Sequence, residues 1–263
     1  MLKGYKDILN IFIFLGVIFF SHTTKAVEFD NLVSKLNIVN VSDTIQLQEE
    51  LKHEDKIGIY VGSFDPVHNG HIEAMEQALQ EKNLHFIIVL SNTPSRSKPS
   101  RTDYSIRLHM LNLAFIGNKR ILVANNETDE AIKILKQHHK LVGIIGSDQV
   151  IRHLKINKPP KQYVDEWFIV TRDADREHLP MSLTTFFGKP CSYANKTYLQ
   201  QQHLSSSDIR DLLSKQEPFK KGNLSLPVPK SVEDFIYNDY LYSKSKHNVY
   251  NTLYDLTKKI AYY

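Results

Sequence analysis

Short apolar segments alternate with helical patterns through the middle of this 263-residue chain. Strands that are apolar along their whole length are typical of parallel sheets, because helices cover both faces of such a sheet. The alternation of strand and helix indicates the crossover connections that parallel strands need. We therefore predict an α/β fold with an open parallel sheet and helices on both faces. The predicted strands are Lys56–Val61, His85–Leu90, Ile121–Ala124, Leu141–Ile145 and Trp167–Val170.

Apolar residues at helical spacing fill the intervals between these strands. After the first strand, one helix face is formed by Ile72, Met75, Ala78 and Leu79. Further helices are predicted from Tyr104 to Phe115, from Glu130 to His138 and from Gln149 onward. We expect the domain to extend over residues 56–242, an ordinary size for a single domain.

A turn with two glycines and two histidines follows the first predicted strand. It has the sequence G-S-F-D-P-V-H-N-G-H, from Gly62 to His71. Asp65 and Pro66 form its corner, because the residue before a proline avoids helical geometry. Since the turn lies at the carboxyl end of a strand, it occupies the place where open α/β sheets bind ligands.

The residue types in this turn favour a phosphate. His68 and His71 project from the same face of the first helical turn, beside the N–H groups and positive dipole of the helix N-terminus. Gly62 and Gly70 allow the backbone to turn and to approach a ligand closely. A zinc pair is disfavoured, because the histidines are three residues apart and no cysteine or third histidine is near. The predicted nucleotide-binding residues here are Gly62, Ser63, Phe64 and Gly70.

A second polar motif, L-S-S-S-D-I-R, extends from Leu204 to Arg210. A serine run of this kind caps a helix, and its hydroxyl and N–H groups are available to phosphate oxygens. Arg210 lies one turn into the helix and is able to bind a polyphosphate with its forked guanidinium group. We predict nucleotide-binding roles for Ser205, Ser206 and Ser207.

The two motifs resemble the G-x-F-D-P-x-H-x-G-H and I-S-S-T-x-I-R signatures of the nucleotidyltransferase superfamily, the HxGH type. Within it, the chain is most similar to the bacterial nicotinate-mononucleotide adenylyltransferases. The resemblance implies a Rossmann-like nucleotidyltransferase domain that transfers an adenylyl group from ATP to a pyridine mononucleotide and releases pyrophosphate, as in NAD biosynthesis. It also implies catalytic roles for His68, His71 and Arg210, and Mg²⁺ carried by the ATP phosphates.

Three further segments are similar to the same family. Residues 93–99 and 107–111 resemble its acceptor-binding loop and helix, which implies that Lys98 and Arg107 bind the phosphate or carboxylate of the acceptor. Gly146-Ser147-Asp148 resembles its G-x-D motif, which implies that Asp148 lies near the nucleotide ribose. The segment from Leu226 to Tyr242 resembles its closing V-P-x-x-V-x-x-Y-I with a terminal L-Y.

One departure from the family leaves the acceptor open. The nicotinate-specific enzymes carry an aromatic residue about two turns after the G-x-D motif, whereas residues 149–158 here contain no Trp, Tyr or Phe. Trp167, the only tryptophan, is predicted to be a core residue of the next strand. An alternative is therefore a nucleotidyltransferase of the same fold with another phosphate acceptor, such as phosphopantetheine or a polyol phosphate.

The first 26 residues are typical of a signal peptide or membrane leader. Lys3 and Lys6 precede an apolar run from Ile8 to Phe20, and small residues follow it up to Ala26. Such a leader predicts an exported protein, periplasmic or secreted, or one anchored by its N-terminal segment. Export keeps a third hypothesis open, a nucleotide-binding protein that does not turn over.

The remaining composition excludes several classes of protein. The net charge is only +4 and no basic stripe is visible, so we expect no nucleic-acid partner. The single cysteine, Cys191, rules out an internal disulfide and is predicted to be a buried structural thiol. Helical patterns in residues 27–55 and 243–263 predict extensions that dock on the domain, and we expect membrane contact only through an uncleaved leader.

Overall fold

A computed structural model describes the central part of the chain, namely residues 38–39, 56–91, 102–125, 132, 135–136, 139–160, 163–171, 177–195, 205–216, 220–222 and 224–243. The predicted leader, most of both extensions and Lys98 lie outside these residues. Of the predicted helix between 130 and 138, only Ile132, Leu135 and Lys136 are described, and all three are helical. Among the described helices, none is long and apolar enough to span a bilayer.

Six parallel strands form one sheet in the order β3-β2-β1-β4-β5-β6. Each pair of neighbours is parallel, which confirms the predicted α/β architecture with a Rossmann-like strand order. The strands are β1 (Lys56–Gly62), β2 (Phe86–Ser91), β3 (Ile121–Ala124), β4 (Lys140–Gly146), β5 (Glu166–Val170) and β6 (Cys191–Tyr193).

Six described helices accompany the sheet, and most follow the carboxyl end of a strand. They are α1 (Asn69–Glu81), α2 (Tyr104–Phe115), α3 (Ser147–Lys155), α4 (Thr184–Phe187), α5 (Ser206–Lys215) and α6 (Lys230–Asn238). The helix predicted after the fourth strand therefore begins two residues earlier than Gln149, directly at the end of β4.

The core consists of two apolar layers, one on each face of the sheet. Alternate strand residues supply them, so Tyr60 belongs to one layer and Ile59 to the other. Helices α1, α2, α5 and α6 cover the first layer, and α3 and α4 cover the second. Because both faces are covered, the strands are apolar along their whole length, as the sequence indicates.

The edge of the sheet at β3 is partly covered by residues from the predicted N-terminal extension. Ile38 forms an antiparallel bridge with Ala124, and the Val39 N–H donates to the Val123 carbonyl oxygen at 2.9 Å. Both residues belong to the extension that the sequence predicts over residues 27–55. The contact shows that the described part of the extension docks on the domain.

The chain leaves β1 and β4 toward opposite faces of the sheet. Connections after β1 lead to α1 and β2 on one side, whereas β4 leads to α3 and β5 on the other. A crevice therefore opens between the carboxyl ends of these two adjacent strands, and open α/β sheets bind their ligands at such a point. Both the two-histidine turn after β1 and the G-S-D motif after β4 lie there.

Candidate active site

The turn after β1 is built around a buried phenylalanine. Phe64 is fully buried and has a φ of 49°, a left-handed conformation that is uncommon for a bulky residue. Its ring lies against Gly62, where an added Cβ would stand 2.8 Å from the nearest ring atom. Gly62 is therefore required so that the Phe64 ring fits under the turn.

We expect Gly62→Ala to displace Phe64 and to disturb the whole turn. A Cβ at 2.8 Å from a buried ring leaves no room without a shift, because the ring packs edge-on against both Tyr60 and His71. The expected loss is about 1–3 kcal/mol in the free energy of unfolding, together with reduced activity. Chemical denaturation checks the first effect, and an unchanged free energy of unfolding would contradict it.

The two histidines stack at the start of α1. Their ring centroids are 3.7 Å apart with an interplanar angle of 33°. The His68 backbone N–H donates to His71 Nδ1 at 3.3 Å, so Nδ1 is an acceptor and a neutral His71 carries its proton on Nε2. His68 is buried and His71 is half-buried. The pair thus presents an imidazole N–H donor at a helix N-terminus, as the sequence predicts for a phosphate site.

Helix α5 docks directly on this turn. Ser206 Oγ donates to the Pro66 carbonyl oxygen at 2.9 Å, across 140 positions of sequence. Arg210 Nη1 donates to the Asp65 carbonyl oxygen and lies 3.8 Å from Asp65 Oδ2. Ser206 and Arg210 therefore contact Pro66 and Asp65, which precede His68 by two and three positions in the chain.

The serine run caps α5 as predicted. Ser205 Oγ accepts from the Asp208 N–H at 3.3 Å, and the Asp208 carboxylate in turn accepts from the Ser205 N–H at 2.7 Å. Ser207 Oγ accepts from Arg210 Nη2 at 3.2 Å and keeps its own O–H to donate. Because Ser206 is bonded to Pro66, its hydroxyl fixes α5 against the turn, a role that the sequence does not show.

Asp65 has a larger role than the turn-forming one that the sequence suggests. Its side chain is 1% exposed. Oδ1 accepts from the Tyr242 hydroxyl at 2.8 Å and Oδ2 accepts from the Thr102 N–H at 3.2 Å, in addition to facing Arg210. Its position before a proline, inside the motif, is the one signal that could have drawn attention to it.

Arg107 is buried near the start of α2, where its side chain contacts acceptors of the protein itself. The side chain is 0% exposed, and its guanidinium donates to the Ser63 carbonyl oxygen at 2.7 Å, to Ser91 Oγ at 2.6 Å and to the Thr102 carbonyl oxygen at 2.9 Å. These contacts join the ends of β1 and β2 to the start of α2. The structure therefore gives Arg107 a structural role that the sequence does not show, and the acceptor-binding role expected for it stays a prediction.

The G-S-D motif occupies the other side of the crevice. Ser147 is buried, and Asp148 is exposed in the first turn of α3. A Cβ at Gly146 would stand 2.7 Å from Asp148 Oδ1, so the carboxylate folds back over the glycine. Asp148 thus lies at the carboxyl end of β4, where the sequence predicts it, with its carboxylate exposed to solvent.

A cavity of about 290 Å³ lies beside the crevice, on the face of the sheet opposite α1. Its apolar wall includes Val61 and Leu90, near the ends of β1 and β2, and its polar lining is formed by Gln149, His153, Tyr163 and Trp167. The Trp167 Nε1–H is buried and has no acceptor among the described residues. Two aromatic residues farther along the chain, Tyr163 and Trp167, therefore line this cavity, whereas residues 149–158 contain none.

His153 has a defined tautomer in this cavity. Its Nδ1 lies 2.7 Å from the Lys158 carbonyl oxygen, which only accepts, so Nδ1 donates. A neutral His153 consequently has an acceptor at Nε2. Trp167 is 8% exposed and packs in the second apolar layer, which confirms the predicted core position, and it also lines the cavity.

Cys191 is a half-buried free thiol on β6. Burial raises its pKa to about 11, so the group stays protonated at neutral pH. Its Sγ–H donates to the Lys189 carbonyl oxygen at 3.3 Å. This protonated state fits the structural role predicted for the thiol and does not suit a nucleophile.

In the part of the chain that the structure describes, no group of three or more His, Cys, Asp or Glu side chains could hold a metal ion. The donors gathered at the crevice are imidazole, guanidinium, hydroxyl and backbone N–H groups. Such donors bind anions, so the described site suits a phosphate better than a bare cation.

Comparison with known proteins identifies the family of the chain. Residues 59–212 match the model of the family described as Cytidylyltransferase-like. A "Probable nicotinate-nucleotide adenylyltransferase" of a Nitratiruptor species is 30% identical over 133 residues, covering 44% of this chain and 73% of the relative. A protein of the same name from Streptococcus mutans is 27% identical over 79% of this chain and 99% of its own length.

Solved structures share the fold. The Plasmodium falciparum nicotinic acid mononucleotide adenylyltransferase complexed with APC has a TM-score of 0.55 and 18% identity, covering 72% of this chain and 97% of its own. The same enzyme complexed with NaAD gives a TM-score of 0.55 at 19% identity. Since the family model spans more than half of the chain, the protein belongs to the cytidylyltransferase-like family, and its sequence relatives group it with the nicotinate-nucleotide adenylyltransferases.

Proposed function

We propose that the protein transfers an adenylyl group from ATP to nicotinate mononucleotide and releases pyrophosphate. The observation that carries this proposal is the contact between the two motifs, in which Arg210 and the α5 N-terminus lie against the turn that presents His68 and His71. The similarity to nicotinate-nucleotide adenylyltransferases supports the same reaction.

The chemistry of the transfer is dominated by charge. The acceptor phosphate attacks the α-phosphorus of ATP, so two anions meet and pyrophosphate leaves with additional negative charge. The protein therefore has to position the reactants and to stabilise the charge that develops. His71 suits this task because Nε2–H is its donor, and His68 holds it in place by the stacked ring and the bond to Nδ1.

Arg210 and α5 provide the second part of the phosphate site. The guanidinium is fixed by Asp65 and Ser207 on one side, and the side chain remains 30% exposed. We propose that this exposed side binds the β- and γ-phosphates, together with the Ser207 hydroxyl at the positive end of the α5 dipole. The leaving pyrophosphate is then stabilised by groups that are already in place.

Magnesium enters this proposal as part of the substrate. Mg²⁺ is commonly held by substrate phosphates and water with few protein ligands, and the anion-binding donor set at the crevice fits such a complex. When bound to ATP, the ion neutralises phosphate charge, and this chain's own residues bind the phosphate oxygens that the ion leaves exposed.

We place the pyridine ring of the acceptor in the cavity beside Trp167. A dry cavity of about 150 Å³ already holds a benzene-sized ring, so the volume here suffices for the larger pyridine carboxylate. The Trp167 Nε1–H is buried and lacks an acceptor among the described residues, so a carboxylate oxygen would satisfy it once the entering ring has displaced the atoms that cover it. Tyr163 and Val61 offer the apolar contacts that a flat ring needs.

Trp167→Phe tests this placement, because it keeps an aromatic ring and removes the N–H. We expect the KM for nicotinate mononucleotide to rise about 10-fold and the KM for ATP to stay unchanged, since one hydrogen bond is lost. Tyr193→Phe, which removes a hydroxyl that donates to the Pro180 carbonyl oxygen, is the control. Equal changes in both KM values would contradict the placement.

The proposed reaction is tested by incubating the full chain with Mg²⁺, ATP or CTP and a panel of acceptor phosphates, and by measuring pyrophosphate release. Release with ATP and nicotinate mononucleotide supports the proposal. If pyrophosphate is released only with another acceptor, such as phosphopantetheine, that acceptor is the substrate in place of nicotinate mononucleotide. Tight ATP binding without release from any acceptor would favour a non-catalytic nucleotide-binding protein.

A further inference from the structure

The Asp65 carboxylate links three distant parts of the chain, and the proposed chemistry does not use it directly. It is buried among Tyr242, Thr102 and Arg210, with both oxygens occupied. A buried carboxylate is costly unless its oxygens are bonded and its charge is paired. Here the pairing charge comes from Arg210, which belongs to the proposed phosphate site.

Tyr242 reaches Asp65 from 177 positions farther along the sequence. It lies just after α6, and both Tyr240 and Tyr242 have positive φ values, 52° and 68°. Aromatic residues rarely adopt this left-handed conformation, which costs free energy unless the surroundings enforce it. In this case the conformation brings the Tyr242 hydroxyl to 2.8 Å from Asp65 Oδ1.

The hydroxyl is a dependable donor in this environment. Burial, and then the negative charge of Asp65, raises the pKa of Tyr242 well above its usual value. The phenol therefore stays protonated at neutral pH, and it donates to the carboxylate. Its other close neighbours include Met110 Sδ at 3.8 Å, on α2, and Thr102.

Arg210 depends on Asp65 for its orientation. Nη1 donates to the Asp65 backbone oxygen and faces Oδ2, whereas Nη2 donates to Ser207 Oγ. Rotation of the Asp65 side chain would remove the charge that faces Nη1 and would leave the guanidinium with the two neutral acceptors. Such a change moves a phosphate-binding group without touching any substrate.

We propose that Tyr242 is a positioning residue for adenylyl transfer, whose hydroxyl fixes Asp65 and thereby the guanidinium of Arg210. This proposal rests on the proposed function, since it assumes that Arg210 binds the ATP phosphates. The segment that follows α6 then contributes to the active site through Tyr242. A purely structural role, in which the same bond only fastens this segment to the domain, makes a different prediction.

Tyr242→Phe separates the two roles, because it removes only the hydroxyl. We expect kcat/KM for ATP to fall about 10-fold, because even a slight displacement of a charged phosphate-binding group slows the reaction. In the Arg210→Ala background, the same substitution is expected to lower kcat/KM by less than about 2-fold, because coupled residues are not additive. An equal loss in both backgrounds would overturn the proposal.

Tyr237→Phe is the matched control. Its hydroxyl donates to Gln216 Oε1 at 3.2 Å and lies 3.4 Å from the Leu224 carbonyl oxygen, away from Asp65. We expect this variant to lose thermal stability and to keep its kcat/KM for ATP. A comparable kinetic loss in Tyr237→Phe would also count against a specific role for Tyr242.

Two further measurements keep the proposal testable. If Tyr242→Phe does not fold, Asp65→Asn replaces it, since the amide keeps the shape of the carboxylate and removes its charge. The effects of Asp65→Asn and Arg210→Ala must then also be non-additive.

If the unmutated protein releases no pyrophosphate, the proposed function fails, and the double-mutant cycle is measured as ATP affinity by calorimetry. Tyr242→Phe must then weaken ATP binding only when Arg210 is present.

Discussion

His71→Ala is expected to lower the rate of adenylyl transfer by at least about 100- to 1,000-fold, the usual cost of removing a donor that stabilises developing charge. The imidazole presents Nε2–H because its Nδ1 accepts from the His68 backbone. Alanine removes this donor and also the ring that stacks on His68 and contacts Phe64. Pyrophosphate release at saturating ATP measures the effect on kcat.

The histidine assignment has a graded control. His71→Gln keeps an amide N–H near the place of Nε2–H, so we expect it to recover part of the lost rate. His178→Ala, at an exposed histidine, should leave the rate unchanged. Near-normal transfer by His71→Ala would refute the role of the histidine pair.

The largest effect on stability is expected for Arg107→Met. Methionine fills similar space and removes the guanidinium donor from three acceptors, namely the carbonyl oxygens of Ser63 and Thr102 and the hydroxyl of Ser91. The Ser63 oxygen keeps only a long hydrogen bond, at 3.4 Å, from Ser91 Oγ. Each buried group that loses its partner costs about 1–3 kcal/mol, so we expect the free energy of unfolding to fall by about 3 kcal/mol or more. Urea denaturation monitored by circular dichroism measures it.

Two further variants serve as controls for Arg107→Met. Arg107→Lys should be intermediate, because an ammonium group cannot reproduce the forked contacts to three segments. Arg152→Met, at an exposed arginine on α3, should change stability little. If Arg107→Met kept its stability and only raised the KM for the acceptor, the acceptor-binding role suggested by the sequence would be correct after all.

Where apolar residues form a continuous run, the sequence predicts the ends of the strand or helix accurately. The predicted bounds of α2 and β3 agree with the structure residue by residue, and the other four predicted strands differ by one residue at one or both ends. The sequence does not predict strand β6. It has only three residues, Cys191–Tyr193, and pairs with β5 alone, so its formation depends on a neighbouring edge and not on its own composition.

In the site, too, features that depend on local sequence are predictable, whereas those that depend on long-range contacts are not. His68, His71 and the serine cap follow from local geometry at two helix N-termini, whereas the burial of Arg107 and Asp65 depends on which segments meet. Arg107 does carry one local sign, because it shares a helix face with Met110 and Leu111, three and four residues on, and both are fully buried. An arginine on an apolar helix face is fully buried only where its guanidinium finds partners, and here it finds three acceptors.

The bond from Ser206 to Pro66 joins segments that are 140 positions apart, and the one from Tyr242 to Asp65 spans 177. Contacts of such high contact order form slowly, after local units have collapsed. Recovery of catalysis during refolding should therefore lag behind the return of helical circular dichroism. Pyrophosphate release would then report the docking of α5 and of the segment after α6 on the turn, rather than the formation of any single helix.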